Sequence, residues 1–201
     1  MLTRRSLSLL GTGALSSVAI RPVFAQTAGD RAAAFVKSTG DRILGAMRGA
    51  GSVDERRKIL GPIIDSAIDV DGIARFCLGR FWKNASADQQ KRYTELFHKV
   101  LIGNITSRLG EYQEVKLTIG RSQPRDDNDI VSTVIERPNN PPATVDWVVA
   151  NAGTAPKVID VIAENTSLRQ TQRNDYAAYL TRNNNDVDAL ITAMRAQLEQ
   201  N

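Results

Sequence analysis

The period of the apolar residues changes twice along this chain, and that change constrains the fold more than any other feature. Tyr93, Leu96, Phe97, Val100, Leu101, Ile105 and Leu109 follow i, i+3, i+4, i+7, i+8, i+12 and i+16, one face of a 3.6-residue repeat. Val115, Leu117 and Ile119 then alternate with polar residues, as do Val145, Trp147 and Val149. That is the two-residue period of a half-buried strand. Ile130–Arg137 and Val158–Ile162 add two more β-rich runs, and Pro124–Asn128, Pro138–Pro142 and Asn151–Pro156 read as the turns between them. Four strands joined by short turns predict an antiparallel meander. Helices before and after it predict an α+β fold, a twisted four-stranded antiparallel sheet wrapped by helices. Such a sheet leaves a cone or cleft against its helices, where a ligand would sit.

The helical halves carry their own punctuation. Phe35, Val36, Thr39, Ile43 and Met47 put a helix over 28–48, ended by Gly49 and Gly51. Ser52-Val53-Asp54-Glu55 and Ser86-Ala87-Asp88-Gln89 are capping boxes, each opening a helix. Pro62 is expected to bend or split the first of these. Asp69 to about Trp82 reads as one or two short helices interrupted by Gly79. Two helices close the chain, one over Ser167–Leu180 and one from Asp186 with Val187, Leu190, Ile191, Met194 and Leu198 on its apolar stripe.

Met1–Ala25 reads as a cleavable export signal: Arg4 and Arg5, then an apolar Leu7–Ile20, then the small-x-small site Val23-Phe24-Ala25. The apolar stretch is shorter than the roughly 20 residues of a membrane span. Thr3-Arg4-Arg5-Ser6-Leu7 resembles a twin-arginine signal, with the Sec route as the alternative. Residues 26–201 then form a single exported domain. The leader also biases the charge. The chain has 26 basic and 22 acidic residues, and removing Arg4, Arg5 and Arg21 leaves 23 against 22, a net of +1. Nothing in that balance points to nucleic acid.

The motifs of catalysis and metal binding fail. One cysteine excludes an internal disulfide and one histidine excludes a two-His metal site within a chain. His98 lies beside Phe97 on the shoulder of the main stripe and reads as a helix-surface residue. No G-x-S-x-G, phosphate loop or G-x-G-x-x-G occurs. Asp69-Val70-Asp71-Gly72 begins like a calcium loop, but Ile73, Ala74 and Arg80 stand where later ligands belong, which leaves helix capping by Asp69 or Asp71. Asp126, Asp127 and Asp129 read as a solvated hairpin. Cys77 reads as a small buried apolar residue, with an intermolecular disulfide as the alternative.

Asp69-Val70-Asp71-Gly72-Ile73-Ala74-Arg75-Phe76-Cys77-Leu78-Gly79-Arg80-Phe81-Trp82-Lys83-Asn84-Ala85-Ser86 closely resembles a signature of the MlaC family. These are periplasmic phospholipid-binding proteins, also called the toluene-tolerance auxiliary family. Val158-Ile159-Asp160-Val161-Ile162-Ala163-Glu164-Asn165-Thr166-Ser167-Leu168, followed by Arg173 and Tyr176, resembles a second family segment. It departs from the family pattern in carrying Asn165-Thr166 for Gly-Val, at a turn, and Ala155-Pro156 where an aromatic commonly precedes the strand. The likeness runs over nearly all of residues 30–198.

The resemblance implies a cone of the nuclear-transport-factor type with an apolar cavity for lipid tails. It implies a non-catalytic shuttle in an Mla-type system that maintains outer-membrane lipid asymmetry. Its ligand would be phospholipid, with no cofactor or metal. Its partners would be an outer-membrane lipoprotein complex and an inner-membrane ABC transporter carrying a mammalian-cell-entry-type ring protein. Candidate lining residues are Phe76, Phe81, Trp82, Phe97, Val100, Leu101, Val134, Trp147, Val149, Ile162 and Tyr176. Three other readings stay open at this point: a hopanoid carrier of the same family, an enzyme with a buried acid at the floor of a similar cone, and an envelope interaction module with a filled core.

Overall fold

The computed structural model describes residues 27–49, 52–109 and 115–199, so the expected leader lies outside the described residues. Four helices come first: α1 (Ala28–Gly49), α2 (Val53–Ala67), α3 (Val70–Leu78) and, after a 3₁₀ turn at Gly79–Lys83, α4 (Ala87–Leu109). The strands follow as β1 (Lys116–Arg125), β2 (Asn128–Arg137), β3 (Asn140–Ala150), β4 (Lys157–Ala163) and β5 (Thr166–Ser167), then α5 (Leu168–Arg182) and α6 (Val187–Glu199). The sheet is an antiparallel meander in the order β1-β2-β3-β4-β5.

The helix starts obey the capping rules. Ser52 Oγ accepts from Glu55 N at 3.2 Å while the Glu55 carboxylate accepts from Ser52 N at 3.0 Å. Ser86 and Gln89 repeat the exchange at the start of α4. Asp69 caps α3 by accepting from Gly72 N at 3.0 Å. A Cβ at Gly72 would stand 2.1 Å from the Asp69 carboxylate as it lies, so a larger residue there would make that side chain shift. Gly79 ends α3 at φ +57° and ψ −128°, a backbone region that side-chain-bearing residues avoid.

Several expectations are corrected. Pro62 does not split α2, which runs unbroken from Val53 to Ala67. Pro62 and Lys58, whose carbonyl it deprives of a partner, are both exposed, so water can serve that carbonyl. The sheet has a fifth strand, because Glu164 and Asn165 at φ 50° and 62° turn β4 straight back onto Thr166–Ser167. Asn tolerates this left-handed backbone, so Asn165 keeps a turn that the family's glycine would make. The β2–β3 turn shrinks to Pro138–Asn139, with Pro141 and Pro142 inside β3 at a register shift, where a missing N–H breaks no ladder. Asp129 is buried rather than solvated, because β2 already includes it and it lies against Gly29 at the start of α1.

Two apolar cores form. The larger lies among α2, α3, α4, α5 and α6 and includes Leu60, Ile64, Leu78, Tyr93, Leu180 and Met194. The smaller joins Ala32 and Val36 of α1 to Val131 and Val149 of the sheet. α1 crosses β1 and β2, while the α2–α3 junction meets the edge of β4 through an Ile68–Val158 bridge. Lys157 at the start of β4 donates to the Asp65 and Ser66 carbonyls at 2.9 and 2.8 Å, closing the C-terminal end of α2.

Candidate functional site

The sheet and the helical core meet at their margins, and the ground between them is the candidate site. α4, the longest helix, packs chiefly on α2, α3 and α6 rather than on the sheet. Gly103 lies buried within it, yet beyond its chain neighbours and its own helix backbone no described atom stands within 4 Å of the place a Cβ would take. Gly61 on α2 is likewise buried, and a Cβ there would meet only Ile102 Cδ1, at 3.9 Å. In a close-packed interior a buried glycine touches neighbours on all sides. Gly103 therefore borders ground that no described side chain fills, whereas Gly61 rests in ordinary contact with Ile102 of α4.

The eleven expected lining residues do not converge on one surface. Phe81, Phe97, Val100 and Tyr176 are buried in the helical core, with Phe76, Trp82 and Leu101 half-buried against it. Val149 is buried in the sheet core, with Trp147 against it. Val134 and Ile162 are half-buried and belong to neither core. The registers explain why. Val131 pairs with Trp147 and Asp129 with Val149, so those residues share the face that α1 crosses. Val134 is three residues on from Val131, and Ile162 pairs with Asp146, so both occupy the opposite face.

The aromatic residues of the signature do two jobs. Tyr93 is fully buried, donates its hydroxyl to the Ala74 carbonyl at 2.9 Å, and packs edge-on against Trp82 and Tyr176. Burial pushes the Tyr93 and Tyr176 phenols up, so both stay neutral in the core. Burial also pushes the Cys77 thiol up to about 12, the value of an inert packed sulfur. Phe76 and Trp82 instead carry guanidinium groups: Arg169 and Arg173 lie 4.5 and 4.8 Å from the Phe76 ring centre, and Arg75 lies 5.1 Å from that of Trp82.

Periodicity missed Gly61, Gly103 and Thr133. A glycine inside an otherwise strong helix costs about 0.5–1 kcal/mol against alanine, and that cost was the available signal for Gly103. Thr133 is fully buried in the sheet, accepting from the Trp147 indole N–H and donating to the Val145 carbonyl, each at 2.9 Å. His98 pairs with Asp65 across α4 and α2, half-exposed. Two surface hollows, one along α1 at Ala34, Lys37, Ser38, Asp41 and Arg42 and one at Asp71, Thr94, Glu95, His98 and Lys99, include none of the expected lining. Among the described residues no group of three or more His, Cys, Asp and Glu side chains is placed to hold a metal, and no helix is long and apolar enough to cross a membrane.

The family model described as MlaC protein matches residues 37–196. The toluene tolerance protein ttg2D of Pseudomonas putida is 28% identical over 141 residues, which are 69% of this chain and 63% of that protein. The chain thus spans less than two thirds of that relative's length. Among solved structures, a phospholipid-binding protein from Ralstonia solanacearum, in complex with a phospholipid, matches with a TM-score of 0.75 over 84% of this chain and 97% of that one. At 21% identity this likeness establishes the fold.

Proposed function

The chain belongs to the MlaC family, and from that premise we propose that it is a periplasmic carrier of phospholipid rather than an enzyme. Its acyl tails lie between α4, α2 and the α1-covered face of the sheet. The observation that carries this is Gly103, buried in α4 yet with no described side chain within 4 Å of where its Cβ would stand. The phospholipid held by the Ralstonia protein of the same fold supports it. Under this reading the chain moves lipid between an outer-membrane lipoprotein complex and an inner-membrane transporter with a mammalian-cell-entry-type ring.

The energetics suit a shuttle. Each buried methylene contributes about 0.8 kcal/mol, so two acyl chains with about 30 of them are held by roughly 24 kcal/mol against water. Release into the periplasm is therefore negligible, and lipid passes only to another apolar site. Transfer between two apolar sites is nearly neutral, so loading and unloading both proceed without a chemical step.

Native mass spectrometry of the chain, purified from a periplasm without detergent, tests the reading. The expected spectrum carries the mass of one or two diacyl phospholipids. A bound hopanoid would move the ligand to another lipid class. An apo spectrum, together with failure to take phospholipid from vesicles, would refute lipid carriage.

A further inference from the structure

We propose that the surface formed by α3, the 3₁₀ turn and the first turns of α5 docks a partner protein through that partner's carboxylates. Within one short stretch, Phe76 to Trp82, three aromatic rings each carry arginine. Arg169 and Arg173 lie over Phe76, Arg80 lies 4.8 Å from the Phe81 ring centre, and Arg75 covers Trp82. Arg173 also donates to the Phe76 carbonyl at 3.3 Å and lies 3.1 Å from where a Cβ of Gly79 would stand. The positive φ at Gly79 thus admits the guanidinium.

These cations exceed the local acids. Asp160 is buried, and its carboxylate is already engaged by the Ser167 hydroxyl at 2.6 Å, the Val161 and Arg169 amides at 2.8 and 3.2 Å, and Arg169 Nε at 3.4 Å. Among the described residues no carboxylate stands within 4.0 Å of Arg75, Arg80 or Arg173; Asp71, one helical turn before Arg75, makes no ion pair with it. Arg169 and Arg173 are one turn apart on α5, where like charges repel. Asp160 offsets that repulsion at Arg169, while among the described residues Arg173 pairs with no carboxylate.

Stacked guanidiniums are well suited to recognition. The ring fixes the plane and removes rotamer freedom in advance, and the exposed Arg75 and Arg80 keep N–H edges for bidentate bonds to carboxylates. Arginine beside half-exposed aromatic side chains is also the composition of interface hot spots. Leu168, exposed at 49%, adds an apolar contact next to Arg169. A bilayer is the poorer occupant. The exported sequence carries a net charge of only +1, which gives no general pull toward anionic lipid. Among the described residues the exposed large apolar side chains are Ile59 and Leu168, too few for an inserting face.

The test measures binding of the purified chain at low salt to three probes: a short oligo-glutamate peptide, phosphatidylglycerol vesicles and inorganic phosphate. Arg75→Glu with Arg80→Glu should weaken peptide binding by on the order of tenfold, since close charge pairs at interfaces couple strongly. The control Lys58→Glu with Arg195→Glu makes the same change in net charge elsewhere and should leave binding unaltered. Melting and phospholipid uptake should be unchanged in both, which separates this inference from lipid carriage. Arg75→Gln with Arg80→Gln serves where charge reversal perturbs folding. The proposal is overturned if wild type ignores the peptide, if binding survives the patch variants, or if the control loses as much. It is overturned equally if vesicles or phosphate compete better than the peptide at the same arginines, which would make the patch a phosphate or membrane reader.

Discussion

Gly103→Leu separates a cavity from a packed core by sign. Gly103 is buried within α4, and beyond its chain neighbours and its own helix backbone no described atom stands within 4 Å of its missing Cβ. A leucine there places four carbons in space that, on the lipid reading, a tail occupies. Displacing about four methylenes at about 0.8 kcal/mol each removes about 3 kcal/mol of lipid retention, roughly a 200-fold loss. Stability moves the other way. Replacing a mid-helix glycine by a good helix former gains about 0.5–1 kcal/mol, which for a domain of this size raises Tm by about 1–4 °C. Were α4 instead packed tightly at this point, the added carbons would overfill the core and cost about 1–3 kcal/mol. The assay is a thermal melt of delipidated chain beside uptake of a fluorescent phospholipid from vesicles. A variant that melts several degrees lower and takes up lipid normally would refute the cavity at α4.

The other expectations use the same logic. Leu101→Glu, at a half-buried position on α4 beside the helical core, should abolish co-purified lipid while leaving a cooperative melt; normal lipid content would count against α4 as a wall. Gly79→Ala forces φ +57° on a side-chain-bearing residue and presses it against Arg173. It should cost about 1–3 kcal/mol, seen as a Tm drop of about 2–12 °C. Cys77, buried with its thiol pushed up to about 12, should resist alkylation at mildly alkaline pH until the chain is unfolded; a disulfide-linked dimer on a non-reducing gel would contradict its burial. Asp188 links α6 to α4, and hydrogen bonds from Gln89 and then Arg92 hold its carboxyl below the ordinary value. A lowered folded-state pKa stabilises above the unfolded-state value and is lost as pH falls through the folded one. Asp188→Asn should therefore lower Tm at neutral pH and match wild type in strong acid; a difference persisting there would refute the linkage.

The fold was legible where local physics decides it. The switch from a period near 3.6 to one of 2 located the sheet, and the two serine capping boxes located the starts of α2 and α4 to the residue. Helix capping by Asp69 or Asp71 followed from the failure of the calcium loop, and the structure gives the cap to Asp69. The unbroken α2 was less legible, since whether Pro62 breaks a helix depends on whether its orphaned carbonyl faces water, a tertiary fact. β5 was hidden by length: two residues carry no period, and Ser167 also caps α5.

The site was less legible because burial and parity are separate questions. Alternation in β4 groups Val158, Asp160 and Ile162 on one face. A register shift against Val148 and Val149 undoes this: Val158 pairs with Val149, whereas Asp160 and Ile162 pair with Val148 and Asp146. One extra residue in a strand reverses which side chains meet the helices, and no apolar pattern records it. The signature shows the complementary failure. Phe76 and Trp82 are apolar, half-buried and close to core residues, which is equally true of a cavity wall and of a platform. What distinguishes them is arginine: Phe76 receives it from positions 169 and 173, more than ninety residues away in sequence, and Trp82 from position 75 on the preceding helix. The two segments that carry the family resemblance therefore meet in space at an arginine-covered surface, while the unfilled ground is on α4 at Gly103. A carrier needs both, since tails held inside can leave only where a partner is held outside.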